Sequence, residues 1–425
     1  MRLIDTSTFE LKTFYNIRTR PEYSILSHTW TDNEITFEDY RPRDVSSNIS
    51  GYQKIRRACR YARKASFDYI WIDTCCIDKR SSSELSEAIN SMWRWYKDSE
   101  VCFAYLADVP YSEAYSRKHL MKKDREAYDV FIGSRWFMGG WTLQELIAPD
   151  RVAFLSTDWR PIGSDETLRD EIATASGIES RYLDSDTARR CSTYIKMSFA
   201  ARRQTTREED MAYCLLGLLG INMPLLYGEG AEQAFRRLQL AVVEAKHDHT
   251  LLAWRHKDWM PCGEAFTLEQ DVYLQGLPCF ASSVDHFRTY GCGVLALDRR
   301  DRKHFSLPGV RPYAMTNIGL HISLPCVPTN IGLYEPKDPR RRLHAIVGKV
   351  RVSGSSNKDR MDEWSCVAVT IQLCSGDPAM EDAVYVRTHR DTTLLKYEDL
   401  ARSQEKWLYL RQDISILYDD SDDDL

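Results

Sequence analysis

Residues 69–97 read YIWIDTCCIDKRSSSELSEAINSMWRWYK, and two different periods follow each other inside them. Tyr69-Ile70-Trp71-Ile72 is a short continuous apolar run stopped at Asp73, the pattern of a strand buried on both faces. Ser81 and Glu84 then stand in S-x-x-E spacing. This is a capping box, in which hydroxyl and carboxylate satisfy backbone N–H groups that a helix start leaves without partners. Leu85, Ala88, Ile89, Met92, Trp93 and Tyr96 recur at i, i+3, i+4, so they share one helix face. A buried strand feeding an amphipathic helix is half of a βαβ unit, and it predicts an α/β fold with a parallel sheet.

The alternation continues on both sides. Tyr23–His28 (YSILSH) is a first strand, and residues 51–66 (GYQKIRRACRYARKAS) form a helix with Ile55, Ala58, Cys59 and Ala62 on one face. Val101–Leu106 and Val152–Leu155 are the third and fourth strands. Between them, residues 134–150 (SRWFMGGWTLQELIAPD) break at Gly139-Gly140. Thr142 and Glu145 offer a second capping box, whose helix Pro149 ends.

Residues 161–256 lose strand character and read as a helical extension. A third T-x-x-E box, Thr205 and Glu208, leads into DMAYCLLGLL, and a helix over Ala231–Lys246 places Phe235, Leu238 and Val242 on one stripe. Residues 257–416 are expected to be a β-rich domain, with the β-branched runs VGKVRV, WSCVAVTIQL and DAVYVRT between polar clusters. The pentapeptide TNIGL occurs at 316–320 and 329–333, two similar turn-to-strand entries. Residues 417–425 form an acidic, solvated tail.

Composition excludes several function classes. The chain has 425 residues, 43% hydrophobic and 28% charged, which is ordinary globular usage. Lys plus Arg number 57 against 62 Asp plus Glu, a net charge of −5, so no global positive field exists to hold nucleic acid. The apolar stretch Cys214–Leu226 is interrupted by Gly217, Gly220, Asn222 and Pro224 and falls short of the ~20 residues of a membrane span. The N-terminal stretch MRLIDTSTFELKTF carries Asp5 and Glu10 and no apolar core, so no targeting address is read and the cytoplasm is the expected compartment. Twelve cysteines without a C-x-x-C pair argue for buried reduced thiols rather than a zinc or disulfide framework. No metal is expected; His247-Asp248-His249 reads better as a polar turn. Gly228-Glu229-Gly230 reads as a turn before a helix.

In an open parallel sheet, ligands bind outside the carboxyl ends of the strands, where loops gather and helix N-termini point. Those ends carry Ser27, His28 and Trp30, then Asp73, Thr74 and Cys75, then Asp108, with Glu145 opening the helix before the fourth strand. Each has a plainer reading. His28 fits a satisfied edge histidine, Asp73 a turn former and Cys75 a packing residue. Glu145 fits the acidic member of the Thr142 capping box.

Three blocks, YSILSHTW at 23–30, residues 69–97 and SRWFMGGWTLQELIAP at 134–149, together resemble the fungal heterokaryon incompatibility (HET) domain. RRQTTREEDMAYCLLGLLGINMPLLYGEGAEQAFRRLQ and DHTLLAW resemble its flanking region, extending the likeness over about residues 1–256. Thr31 stands where the family usually has glycine. The resemblance implies a Toll/interleukin-1 receptor (TIR) or flavodoxin-like domain over 1–160 and a role in the cell death that follows fusion of incompatible hyphae. W-T-L-Q-E-L looks like the W-C-x-x-E-L block of TIR domains, whose glutamate is needed for NAD cleavage in the catalytic members; carried over, that residue is Glu145. NAD is then a substrate and no prosthetic cofactor is implied. Ser27, His28, Trp30, Asp73 and Trp141 are the expected pocket residues, while for Trp136 and Trp141 a core position is the preferred reading. The implied partners are a second copy of the chain or another incompatibility or sensor protein, and the non-catalytic alternative is an assembly module.

Overall fold

A computed structural model describes residues 1–46, 49–116, 124–255, 279–288, 294–297, 299–304, 313–328, 342–351, 364–375, 383–387, 393–396 and 401–411. The chain divides into two compact units, Met1–Arg190 with Arg202–Gly230, and Cys191–Ala201 with Ala231–Leu425. Residues 161–190 and 202–230 therefore pack with the first sheet. The acidic tail and the second TNIGL copy lie outside the described residues.

In chain order, the sheet of the first unit and its helices are β1 (Arg2–Asp5), β2 (Leu11–Thr13), β3 (Ser24–His28), α1 (Ser50–Lys64), β4 (Tyr69–Trp71), α2 (Asp73–Cys76), α3 (Ser82–Lys97), β5 (Val101–Tyr105), α4 (Arg125–Ile132), α5 (Thr142–Ile147), β6 (Val152–Leu155) and β7 (Pro161–Ser164). The strand order is β2-β1-β4-β3-β5-β6-β7. The central pairs β4–β3, β3–β5 and β5–β6 are parallel. These are the four strands that the hydrophobic runs predict, with the first flanked by the second and third, so the sheet grows first to one side of β3 and then to the other. Such a reversal opens a crevice at the carboxyl edge.

The sheet is mixed rather than wholly parallel. MRLIDTSTFELKTF, read only for the lack of a targeting address, folds as a hairpin that adds β1 antiparallel to β4, and β7 adds antiparallel to β6. Leu3 and Ile4 are both fully buried, a two-residue run too short to stand out between charged neighbours.

Register sorts the side chains onto two faces. Leu26 is level with Phe103, whose ring meets Tyr61 of α1 edge-on at 5.0 Å. Ile25 is level with Trp71, and Ser27 with Ala104, on the opposite face. There Trp71 packs on Trp95 and Tyr96 of α3, and Phe154 on Phe131 and Trp136. The α1 stripe Ile55, Ala58, Cys59 and Ala62 is buried throughout, as are Ala88, Ile89, Met92, Trp93 and Tyr96 of α3, while Leu85 is half-buried. Ser27 is thus a hydroxyl set in an apolar layer.

Capping departs from the sequence reading in part. Ser81 Oγ accepts from Glu84 N at 3.3 Å, but the Glu84 carboxylate does not reach back to Ser81. It takes the Asp78 N–H at 2.8 Å and pairs with Arg2 of β1, because a guanidinium is a stronger partner than a second backbone donor. At the third box no helix starts: Thr205 Oγ1 donates to the carbonyl of Arg207, and the helical turn begins at Asp210. The Gly228–Gly230 turn does precede a helix, Ala231–Ala245; both glycines have positive φ, and Glu209 Oε1 accepts their N–H groups at 2.7 and 3.4 Å.

The second unit is built on β8 (Ala314–Met315), β9 (Leu320–Pro328), β10 (Arg342–Arg351), β11 (Trp364–Ser375), β12 (Val384–Arg387), β13 (Thr393–Lys396) and β14 (Gln404–Leu410). Pairings run β10-β11-β12-β14-β9 and return from β9 to β10, closing a circuit; among the described residues only β12–β14 is parallel. Ile322, Leu324, Ala345, Ile346, Val367, Ala368 and Leu408 fill its core. His247-Asp248-His249 is a turn: Asp248 Oδ1 accepts from Thr250 N, and both imidazoles pack against Tyr313. Among the described residues no group of His, Cys, Asp and Glu has metal-site geometry, and no helix is long and apolar enough to cross a membrane.

Candidate functional site

Glu145 sits one turn into α5, a helix whose six residues are all buried. A helix does start at Thr142, but the capping box expected there is not formed. Thr142 Oγ1 donates to the carbonyls of Trp136 at 2.6 Å and Gly139 at 2.9 Å, turning its oxygen back toward the Gly139-Gly140 break. The carboxyl of Glu145, released from the helix backbone, points at the sheet. Ser27 Oγ of β3 donates to Glu145 Oε2 and accepts the indole N–H of Trp136 at 2.7 Å. The Tyr96 hydroxyl of α3 donates to Leu26 O at 3.3 Å and lies near enough to the Glu145 carboxyl to lower it.

The electrostatics follow from burial. Glu145 is 8% exposed, and desolvation pushes its carboxyl up to about 8. Hydrogen bonds from Ser27 and Tyr96 and the charge of Arg203 pull it down, while the negative charge of Asp73 pushes it further up. At neutral pH the group is mostly protonated. Arg203 is itself buried, and donates to Gly139 O at 2.8 Å and Thr142 Oγ1 at 3.0 Å; burial lowers its guanidinium to about 10.

His28, Trp30 and Asp73 form a second group at the same edge. The His28 side chain is 1% exposed; its Nε2 lies 3.5 Å from Glu34 Oε2 and its Nδ1 3.9 Å from Asp73 Oδ1, ion-pair distances rather than hydrogen bonds. Trp30 Nε1 donates to Asp73 Oδ2 at 2.8 Å. Glu34 also pairs with Lys54 and accepts from Thr31 N at 3.0 Å. Burial raises the Glu34 carboxyl, but the neighbouring His28 and Lys54 outweigh it and hold the group near 2.

The structure thus joins Ser27 to Glu145, and His28, Trp30 and Asp73 to one another, with the field of Asp73 linking the two groups. Trp141 is placed apart from both: its indole N–H goes to Asp210 Oδ2 at 3.1 Å, and Asp210 also accepts from Tyr227. Trp136 is a core residue with a polar task. Asp108 holds the turn after α4, accepting from Ser134 Oγ and Arg135 N. Cys75 is buried, with its thiol raised well above the ordinary range by desolvation, so it is inert as a nucleophile.

Sequence reading missed Glu34, Tyr96 and Arg203. Tyr96 was legible only as a core residue of its helix stripe, and nothing near Arg203 in sequence singles it out from neighbouring arginines. A cavity of about 700 Å³ opens elsewhere in the first unit, between Arg2, Phe37, Tyr40 and Arg80, and none of the expected site residues line it.

Part of this geometry lies in a stretch that matches a known family. The family model described as "Heterokaryon incompatibility protein (HET)" matches residues 23–120. Residues 23–120 are similar to the HET domain. Ser27, His28, Trp30 and Asp73 fall inside the matched residues of the HET domain, and Glu145 falls after them. The vegetative incompatibility protein HET-E-1 of Podospora anserina is 40% identical over 242 residues, which is 54% of this chain and 17% of that protein. This chain therefore spans less than a fifth of that relative's length. No solved structure matches the chain.

Proposed function

We propose that this protein acts in heterokaryon incompatibility, as a cytoplasmic effector of cell death whose HET domain cleaves NAD. The observation that carries this reading is the carboxyl of Glu145, which serves no helix cap and is held by Ser27 beside the carboxyl end of β3. Breaking the nicotinamide–ribose bond leaves the electron pair on nicotinamide and positive charge on the ribose. An ionised Glu145 would oppose that charge and bond the ribose hydroxyls. Water then adds to the ribose and gives up its proton to solvent, yielding ADP-ribose. Nicotinamide leaves as a neutral base, so no strong general acid is needed.

The protonated state of Glu145 adds a condition. A neutral carboxyl gives little stabilisation to a cation, so turnover should be low in the resting protein and rise with pH toward about 8. Clustering with a second copy or a sensor protein would be the physiological route to ionising it.

A second reading is favoured by the same enclosure. With 8% exposure, Glu145 is also suited to be a neutral bolt between α5 and the sheet, in a domain that only assembles. The deciding experiment is NAD consumption by full-length protein and its Glu145→Gln variant, at matched folded concentration and from pH 6 to 9. Nicotinamide release that is absent in the variant supports the enzyme. No release by demonstrably oligomeric wild type leaves the assembly module.

A further inference from the structure

Residues 203–205 run beside the Gly139-Gly140 break that precedes α5. Gln204 N donates to Met138 O and Gly140 N donates to Gln204 O, both at 2.8 Å. The approach is close enough that a Cβ on Gly140 would lie 2.4 Å from Thr205 Cγ2. These two backbone bonds set the buried side chain of Arg203 against the start of the helix. There a single guanidinium atom, Nη1, donates both to Gly139 O at 2.8 Å and to Thr142 Oγ1 at 3.0 Å.

A Thr-x-x-Glu box closes when the hydroxyl oxygen accepts the N–H of the glutamate three residues on, and the carboxylate folds back to the threonine backbone. In α5 that oxygen accepts from Arg203 instead, while its proton lies toward the carbonyls of Trp136 and Gly139. A charged donor is the stronger competitor for a hydroxyl oxygen than a neutral backbone N–H. The box stays open, and the Glu145 carboxyl takes the hydroxyl of Ser27 on β3. We propose that Arg203 is a positioning residue: by occupying Thr142 Oγ1 it keeps the capping box open and turns Glu145 toward Ser27 at the carboxyl edge of the sheet. The proposal rests on the NAD-cleaving reading only for its effect on turnover, and its test separates the two.

Positioning and simple charge predict opposite signs. As a nearby cation Arg203 pulls the Glu145 carboxyl down, so if charge were its whole effect its loss would move that group above about 8. If Arg203 positions, its loss lets the box close, and the carboxyl leaves its buried place and falls toward the ordinary 4.5. The other groups acting on Glu145, namely Ser27, Asp73 and Tyr96, are unchanged in every variant used.

Carboxyl-carbon NMR of labelled glutamate in the full chain reads the difference, with the Glu145 signal identified by its loss in Glu145→Gln. Arg203→Met should lower the Glu145 titration by about two pH units or more. Arg203→Lys, which keeps a charged donor, should hold it at the wild-type value, and adding Thr142→Val to Arg203→Met should restore it, because no hydroxyl is left to accept. An unchanged or raised titration in Arg203→Met, or no restoration by Thr142→Val, overturns the positioning role. Should thermal unfolding show that Arg203→Met does not fold, Gly140→Ala carries the test: it displaces residues 203–205 with the guanidinium retained and should lower the titration in the same sense, and an unchanged value overturns the role likewise. Where NAD is cleaved, Arg203→Met should lower kcat by about a hundredfold with KM kept, as a misplaced group does and a lost substrate contact does not. Unaltered kcat in Arg203→Met overturns the positioning role and keeps the enzyme. A lowered titration without any cleavage by wild type keeps the positioning role and removes hydrolysis.

Discussion

Glu145 and Ser27 are 118 residues apart in the chain and share a hydrogen bond inside the first unit, tying α5 to the middle layer of the sheet. The same hydroxyl receives the indole of Trp136, so three segments meet at one oxygen. Removing it strands two polar groups at once.

Ser27→Ala should therefore destabilise the protein by about 1–3 kcal/mol, the usual penalty for leaving buried polar groups unpaired. Because the Ser27 bond also holds the Glu145 carboxyl down, the variant should shift that group further up. Urea unfolding at pH 7 measures the first effect, and carboxyl-carbon NMR of labelled glutamate the second. A midpoint equal to wild type would remove Ser27 from the core network.

Glu145→Gln should flatten the dependence of stability on alkali. The folded carboxyl titrates at about 8 against an ordinary 4.5, so the folded state binds the proton more tightly than the unfolded one. Wild type is then stabilised by this group below about pH 4.5 and loses that contribution as pH rises from there through 8, with a swing on the order of 5 kcal/mol. The amide cannot ionise. Parallel melting curves between pH 5 and 9 for the two proteins would show that the carboxyl is not buried in solution.

Glu34 contributes to the acid limb. Its folded carboxyl is held near 2, below the ordinary 4.5, so its contribution is present above about 4.5 and is lost as pH falls toward 2. Glu34→Gln should be less stable than wild type at pH 7 and should approach it as the acid range is entered. Chemical unfolding at pH 7 and pH 3 tests this; an equal deficit at both would mean that packing, not the ion pairs with His28 and Lys54, is what the substitution removes.

Gly217→Ala probes the seam between α3 and the helical turn at 216–219. An added Cβ would lie 2.2 Å from Trp93 Cβ and 2.9 Å from its Cγ, atoms too close to the α3 backbone to swing aside. The expected cost is about 1–3 kcal/mol of overpacking, larger than any gain from alanine's helix preference. A thermal midpoint at or above that of wild type would contradict the close approach.

The four parallel strands and their covering helices were legible because each is a run of side chains whose period reports its own burial. The edge strands β1 and β7 were not. A strand that contributes two buried residues, such as Leu3 and Ile4, carries too few positions for a period, and its existence depends on β4 being there to pair with. Capping was legible only as an option. Ser81 took it up with its hydroxyl, but Arg2 drew Glu84 away, and Thr142 was turned aside by carbonyls left open at the Gly139-Gly140 break.

The candidate site shows the same division. Local spacing brought Ser27, His28, Trp30, Asp73 and Glu145 to one sheet edge, since strand ends and the residue after them are readable from the runs themselves. Their partners came from remote segments: Tyr96 from α3 and Arg203 from the segment that re-enters the first unit. The sequence by itself determined which residues form the sheet and which lie at its carboxyl edge, because hydrophobic period is a local property of the chain. Only the tertiary structure decided that Glu145 is a buried, mostly protonated acid rather than a helix cap. Desolvation and hydrogen bonding depend on what surrounds a group in space, and Ser27 and Glu145 become neighbours only once the sheet has closed over α5.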